Sequence, residues 1–337
     1  MTAAEPPRDT PEGEDAAEQE EIEGDDLRDL IPDFKRHLKS RNKAPNTIDS
    51  YVAIATTFVD FLDFESMPRI AQGLKYQHFE HYFAMMQDRP NIRTGKPLSA
   101  SYVAKHYRSL QQFARWLYEK EEVVDRNPFD KLSPPDVPES LPPILTEPQL
   151  RKLLDTTKGK TFENLRDRAI LLMFTDTPSR LDEIATLSIE DPANDDLGSF
   201  DFEADVAHVM GKGRRPRDVP FGPTTGEALR RYMRARKRHP FAQKTTAMWL
   251  GRKGALTPWG IRQVIYRRAD DAGVPHVHPH RFRHTFSHRW LASGGQETDL
   301  MRLAGWRSRQ MLAKYGASAA DERAQSAHRR ANLTDRL

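Results

Sequence analysis

The chain has 337 residues, of which 37% are hydrophobic and 30% charged, and it has no cysteine. That length suits two packed domains rather than one core, and the missing cysteine excludes disulfides and thiolate metal sites. The formal charge of +3 conceals a split: residues 1–26 hold eleven acidic side chains and one arginine, a net of −10, which leaves +13 for residues 27–337.

A body that basic points to a polyanionic partner. The acidic segment 1–26 has few large apolar residues and is expected to be a disordered tail. It lacks the basic-then-apolar pattern of a secretory signal. No apolar run approaches the ~18–20 residues needed to cross a bilayer. The strongest, Ala169 to Phe174, is core-sized. A cytoplasmic protein with no membrane contact is the expectation.

Order is expected to begin near Asp26. Leu27, Leu30, Ile31, Phe34 and Leu38 mark one face of a helix, with Asp25 or Asp26 as its cap. A second helix is predicted after Asn46 and Thr47, a third over 75–87, and a fourth from Ser99 or Ser101 to about Glu119. Its inward residues are Val103, Tyr107, Leu110, Phe113, Ala114 and Leu117, and Tyr51 and Tyr102 are also expected in the core. Residues 27–127 read as a small helical domain. Residues 128–148 contain seven of the 24 prolines. Such a stretch lacks amide donors and resists helix and sheet, so 128–145 is expected to be an extended linker.

The second domain, 146–337, opens with a helix capped at Thr146, then a buried helix near 163–175 and a short one carrying Arg180 and Glu183. Strands are predicted around Phe200–Phe202, Val206–Met210 and Val219–Phe221, with a turn at Gly211–Arg217. Helices follow at 224–238 and 257–272, the latter with Thr257-Pro258 as cap and first-turn proline. Residues 280–292, 297–304 and 308–315 read as three short helices and 319–332 as a terminal one. The fold class is mainly α with a small antiparallel sheet.

Four basic or aromatic sites stand out in order. They are Arg180 with Glu183, Lys212 between Gly211 and Gly213, the His278–His284 stretch HPHRFRH, and Trp306 followed nine residues on by Tyr315. Together they suit a tyrosine attacking a phosphodiester. The transition state gathers negative charge, and fixed cations around it are the main stabiliser. A unit charge pair at ~4 Å is worth about 4 kcal/mol at an effective dielectric near 20. Arginine suits the task because its fork meets two oxygens and it never deprotonates.

Plainer readings accompany each. Arg180 with Glu183 is also a helix-surface pair at i,i+3. Arg214, Arg215 and Arg217 compete with Lys212. His280, His284 and His288 recur every four residues, as metal ligands often do, although Arg281, Arg283 and Arg289 crowd the same turns. The run Arg230–Arg238 is a solvated face or a phosphate contact, and Lys105 and Arg108 are weaker DNA-contact candidates.

The ordered set resembles the tyrosine recombinases, or phage integrases. The arginine box is Thr177-Pro178-Ser179-Arg180-Leu181-Asp182-Glu183-Ile184, the hairpin lysine is Lys212, and the second box is Pro279-His280-Arg281-Phe282-Arg283-His284-Thr285. Trp306 stands in Leu303-Ala304-Gly305-Trp306, and Tyr315 is the nucleophile position. Pro178 and Ser179 depart from the family's usual Gly-Leu, an insertion is expected around Asp191–Asp196, and Trp306 replaces the commoner histidine.

The resemblance implies a two-domain, C-shaped DNA clamp and a 3′-phosphotyrosyl intermediate. Arg180 and Arg283 would hold the phosphate with Trp306 assisting, Lys212 would protonate the leaving oxygen, and His280 would move the nucleophile's proton. Glu183 and His284 would support them. It implies no cofactor and no metal. It also implies double-stranded DNA as partner, a homotetramer on two sites joined through Ser318–Leu337, and nucleoid association. A type IB topoisomerase and a catalytically dead DNA-binding protein are the alternatives; a metal-dependent hydrolase is more distant.

Overall fold

The computed structural model describes residues 24–331 apart from 93, 139–141, 190–197 and 212–214. The expectations for residues 1–23, for the insertion around Asp191–Asp196, for Lys212 and Arg214, and for residues 332–337 lie outside the described residues. The chain divides into two compact units at residues 139 and 140. Both are mostly helical, and no described helix is long and apolar enough to cross a membrane.

The first unit packs four helices: α1 (Leu27–Ser40), α2 (Pro45–Phe64), α3 (Tyr76–Asp88) and α4 (Ala100–Glu119). Asp26 caps α1 by accepting the Arg28 N–H at 2.8 Å, and Ser99 caps α4 by accepting from Tyr102 at 3.2 Å. Order reaches further upstream than the expected boundary at residue 26. The Asp25 N–H donates to Gln72 and its carbonyl accepts from Ala71, which ties those acidic residues to the unit. Helix α2 starts earlier than Asn46, because Pro45 takes the first-turn position where its missing N–H costs nothing. The core is aromatic: Phe58 stacks on Phe79 at 4.4 Å, and Phe113 and Trp116 pack around Phe34. Tyr107 is buried, whereas Tyr102, expected in the core, is exposed with its ring 4.6 Å from His106.

The proline-rich stretch is anchored at both ends rather than free. Pro128–Lys131 forms a 3-10 turn that buries Phe129 against Phe79 and Tyr107, and the Tyr107 hydroxyl donates to the Leu132 carbonyl at 2.8 Å. Leu145 lies in the core of the second unit, its N–H donating to Thr285 at 2.7 Å. Between these anchors, 133–138 and 142–144 lack regular structure. The proline count was right, but apolar side chains between the prolines found cores.

The second unit begins with α5 (Glu147–Asp155), capped reciprocally by Thr146 and Gln149. The central helix α6 (Phe162–Asp176) has Ala169 to Phe174 buried without interruption. Helix α7 (Leu181–Ala185) follows, then an antiparallel sheet of β1 (Ser199–Asp201), β2 (Val206–Gly211) and β3 (Arg215–Pro220) in the order β1-β2-β3. Gly211 pairs with Arg215 across the sheet, so 211 and 215–217, expected in a turn, belong to strands. Helix α8 (Pro223–Arg236), a hairpin of β4 (Leu250–Gly251) and β5 (Gly254–Ala255) that the sequence did not announce, and α9 (Pro258–Asp271) come next. Helices α10 (Pro279–Ala292), α11 (Glu297–Ala304) and α12 (Arg309–Ala331) complete the unit.

Two predicted helices, 308–315 and 319–332, are thus one. Gly316 does not end it, because glycine costs a helix only about 1 kcal/mol against alanine, and Ala-Ser-Ala-Ala at 317–320 favours continuation. The basic run on α8 is also not a uniform solvated face. Arg236 is buried and donates to the carbonyls of Thr245, Ala247 and Met248, while Arg230 pairs with Asp205 and Arg231 with Glu227.

Helix α6 is tied to α9 by one carboxylate. Asp167 is fully buried and accepts from Arg166, Arg267 and Arg268 at 2.7–2.9 Å. Removing it strands three guanidinium groups, two of them buried. Asp167→Ala is therefore expected to destabilise the protein by about 3–5 kcal/mol, read by urea denaturation.

Candidate active site

The arginine box sits where α6 ends. Thr177 closes that helix by donating its hydroxyl to the Met173 carbonyl at 2.6 Å, and the chain runs extended through Pro178 and Ser179 to Arg180, which caps α7. Pro178 and Ser179, the departure from the usual family residues, are both buried. Pro178 offers its carbonyl to Arg283, a contact that the backbone supplies whatever the side chain.

Glu183 is buried at 2% exposure beneath Arg180. It accepts the Arg180 backbone N–H at 2.6 Å and its guanidinium Nη1 at 2.9 Å. A second arginine grips the same carboxylate: Arg217 Nη1 and Nη2 donate to Oε1 and Oε2, each at 2.7 Å. Burial alone would push the Glu183 carboxyl up. The hydrogen bonds and charge of Arg217, with those of Arg180, outweigh it and hold the group below the usual carboxylate range. The pair is thus no surface i,i+3 contact, although Arg180 itself keeps a third of its side chain accessible.

Helix α10 supplies the second box. Its N-cap is His278, whose Nδ1 accepts the Arg281 N–H at 3.2 Å, and Pro279 occupies the first turn. Arg281 points away from the box, donating to the carbonyls of Ile144 and Pro275. Arg283 points inward and is 4% exposed. It donates to the carbonyls of Pro178 and Ala304, the latter at 2.6 Å, and its guanidinium lies 5.2 Å from the centre of the Trp306 ring. One arginine thereby joins the arginine box to the turn between α11 and α12.

His280 stands at the open edge of α10. Partial desolvation, then the charges of Arg283, Arg180 and Arg262, lower its pKa, with Asp182 opposing. His284 is one turn deeper, its ring 6.4 Å from that of His280, and burial with the neighbouring cations lowers its pKa to about 4. Among the described residues no three histidine or carboxylate side chains converge as a metal-holding group.

Trp306 is buried at 7%, in a small cluster with Leu291, Leu300, Ala304 and Leu312. Gly305, at φ +63°, ends α11 in the left-handed conformation that glycine tolerates. Tyr315 lies on α12 two turns beyond its start. Lys212 lies outside the described residues, between the paired Gly211 and Arg215. Arg215 is exposed on β3, and Lys105 and Arg108 are exposed one turn apart on α4, away from these groups in sequence and in the other unit.

Two participants were not given these places by sequence reasoning. Arg217 figured only as a rival to Lys212, yet it shares a strand face with the buried Val219, an alternation that marks it as inward-facing. Arg262 on α9 lies near His278 and His280, and its guanidinium stacks 5.8 Å from the exposed Trp259 ring. Its i,i+3 spacing from Trp259 was the available signal.

The chain matches two family descriptions: the phage integrase family over residues 143–322, and the phage integrase N-terminal SAM-like domain over 30–122. It is 30% identical over 284 residues to the tyrosine recombinase XerC of Oceanobacillus iheyensis, covering 82% of this chain and 88% of the relative. It is 28% identical to XerC of Halalkalibacterium halodurans, covering 81% and 87%. Among solved structures, the Tn1549 transposon integrase in complex with a circular intermediate DNA matches with a TM-score of 0.66 at 19% identity, covering 90% of this chain and 98% of the other. The XerH site-specific recombinase bound to palindromic difH substrate matches at 0.65 and 15%, covering 89% and 83%. At such identities these likenesses speak for the fold.

The lowered pKa values leave both imidazoles uncharged at neutral pH. Protonation of the folded chain is delayed to lower pH than in a free histidine. An NMR titration is expected to give His280 a midpoint below 6.5 and His284 one near 4. In Arg180→Ala the His280 midpoint should rise, because one repelling charge is gone.

Proposed function

The chain belongs to the phage integrase family and is a tyrosine-type site-specific DNA recombinase; we propose that it cleaves and rejoins duplex DNA through a 3′-phosphotyrosyl link made by Tyr315. The observation that supports the assignment of residues is that Arg283 links the arginine box, through the Pro178 carbonyl, to the turn that leads to α12, through the Ala304 carbonyl.

In the proposed reaction the Tyr315 phenol loses its proton and its oxygen attacks the scissile phosphorus. The bond to the 5′ oxygen breaks, and that oxygen takes a proton from Lys212. Arg180 meets the nonbridging oxygens from the accessible side and Arg283 from the deeper one, with Trp306 buttressing Arg283. His280, kept neutral by its surroundings, accepts the proton at the nucleophile. Glu183 and His284 act through the groups they touch. The new ester retains the energy of the broken one, so a 5′ hydroxyl from the partner strand reverses the steps without ATP.

The remaining expectations follow the same reading. The helical unit of residues 27–127 would bind DNA alongside the unit of 146–337, with Lys105, Arg108, Arg214 and Arg215 on backbone phosphates. Four copies would act on two sites, joined through Ser318–Leu337, in the cytoplasm at the nucleoid. Neither the type IB topoisomerase nor the catalytically dead alternative finds support, since the curated relatives matched across both units are recombinases.

A library of nicked duplexes with randomised arms, incubated with the protein in EDTA, tests the reading. A covalent protein–DNA band, whose captured DNA reveals the site, is expected. Tyr315→Phe should abolish it, and Arg180→Ala or Arg283→Ala should slow it about 10²–10³-fold. A band that persists in Tyr315→Phe moves the nucleophile elsewhere, and one that needs a metal overturns the proposed chemistry.

A further inference from the structure

One buried arginine outside the family boxes touches three segments of the site at once. Arg217 leaves β3 with 11% of its side chain exposed. Its two terminal nitrogens hold both oxygens of Glu183, and its Nε donates to the Leu303 carbonyl at 2.8 Å. All three faces of the planar fork that can donate are therefore used. Two glycines make room for it. A Cβ on Gly211 would stand 3.3 Å from its Nη1, and one on Gly305 would meet its Nη1, Cζ and Cδ at 3.3–3.5 Å. The guanidinium is a fitted part, not a surface charge that drifted inward.

We propose that Arg217 is a positioning residue: by holding Glu183 and the Leu303 carbonyl together, it fixes Arg180 for the scissile phosphate and sets the hairpin strand against the turn that leads to Trp306. The inference deepens the recombinase reading and rests on it. Each Glu183 oxygen is shared between Arg217 and a donor of Arg180. Without Arg217 the carboxylate is drawn wholly to Arg180, which turns that guanidinium away from an incoming anion and cancels its charge. A lysine restores the charge but not the geometry, because one ammonium does not span two carboxylate oxygens and a carbonyl.

The test uses the full-length protein and the duplex that the wild type captures covalently. Arg217→Gln and Arg217→Lys are each expected to slow single-turnover adduct formation at saturating duplex by about 10²-fold, the size of effect that small misplacement produces. Affinity for the uncleaved duplex should change less than about threefold, since the change lies in positioning rather than in ground-state binding. Arg217→Gln combined with Glu183→Gln should be no slower than the slower single variant, as for residues acting through one another. Gly211→Ala, whose Cβ would press on the Arg215 carbonyl at 3.1 Å and on the guanidinium at 3.3 Å, should slow the reaction severalfold.

Wild-type rates in Arg217→Lys, multiplicative effects in the double variant, or a rate loss matched by lost affinity would each overturn the proposal. So would a full-speed Gly211→Ala. If the wild type itself yields no adduct, the recombinase reading fails instead, before any Arg217 variant is compared.

Discussion

The catalytic unit depends on a buried carboxylate shared by two arginines. Glu183 sits beneath the arginine box, and both of its oxygens are occupied from two directions. An unpaired charge there would be expensive, so neither the strand carrying Arg217 nor the turn carrying Arg180 can shift alone. The same logic recurs at Asp167, which ties α6 to α9 through three arginines. Since α6 ends at the arginine box and α9 carries Arg262, these two acids tie together the elements that hold the candidate site residues.

The energetic cost of that arrangement explains its shape. Arg180 and Arg283 come from distant parts of the chain, and hydrophobic packing alone would not aim two long flexible side chains at one point. Arg283 is aimed by two backbone carbonyls and by the Trp306 ring beside it. Arg180 is aimed by its own helix start. Preorganisation of this kind removes side-chain entropy before substrate arrives, which is what makes cations effective against charge that develops only in the transition state.

Most of the fold was legible because its helices are amphipathic and capped by their own sequence: Asp26, Ser99, Thr146 and Thr257 each sit at a helix start. What escaped was decided by non-local contacts. Phe129 looked like linker because prolines surround it, and only the pocket between Phe79 and Tyr107 makes it core. The helices read at 308–315 and 319–332 are one, because local propensity carries the chain through Gly316. At the site, the pattern of boxes singled out Arg180, His280 and Arg283 as candidates. The sequence did not reveal that Arg217 is the partner of Glu183, because that pairing joins residues 34 apart. Nor did it reveal that Arg236 is buried among carbonyls, since a run of arginines on a helix looks alike whether it faces water or backbone oxygen.

The choice of partner for each arginine carries a final consequence. A carboxylate that fixes a guanidinium also neutralises it, whereas a carbonyl fixes it and leaves the charge in place. Arg283 is held by the carbonyls of Pro178 and Ala304 and lies beside the Trp306 ring. Arg180 and Arg217 divide one carboxylate, so that trio retains one positive charge. Sharing one acid between two arginines fixes both and leaves net positive charge, which pairing each with its own acid would not give. In the proposed reaction a phosphodiester beside Arg180 would meet oriented positive charge in a partly desolvated place, where each interaction is stronger than in water. Burial first, and then the charges of Arg283, Arg180 and Arg262, keep His280 neutral. The cations that the proposed reaction sets around the phosphate therefore also favour the unprotonated imidazole from which a proton acceptor must start.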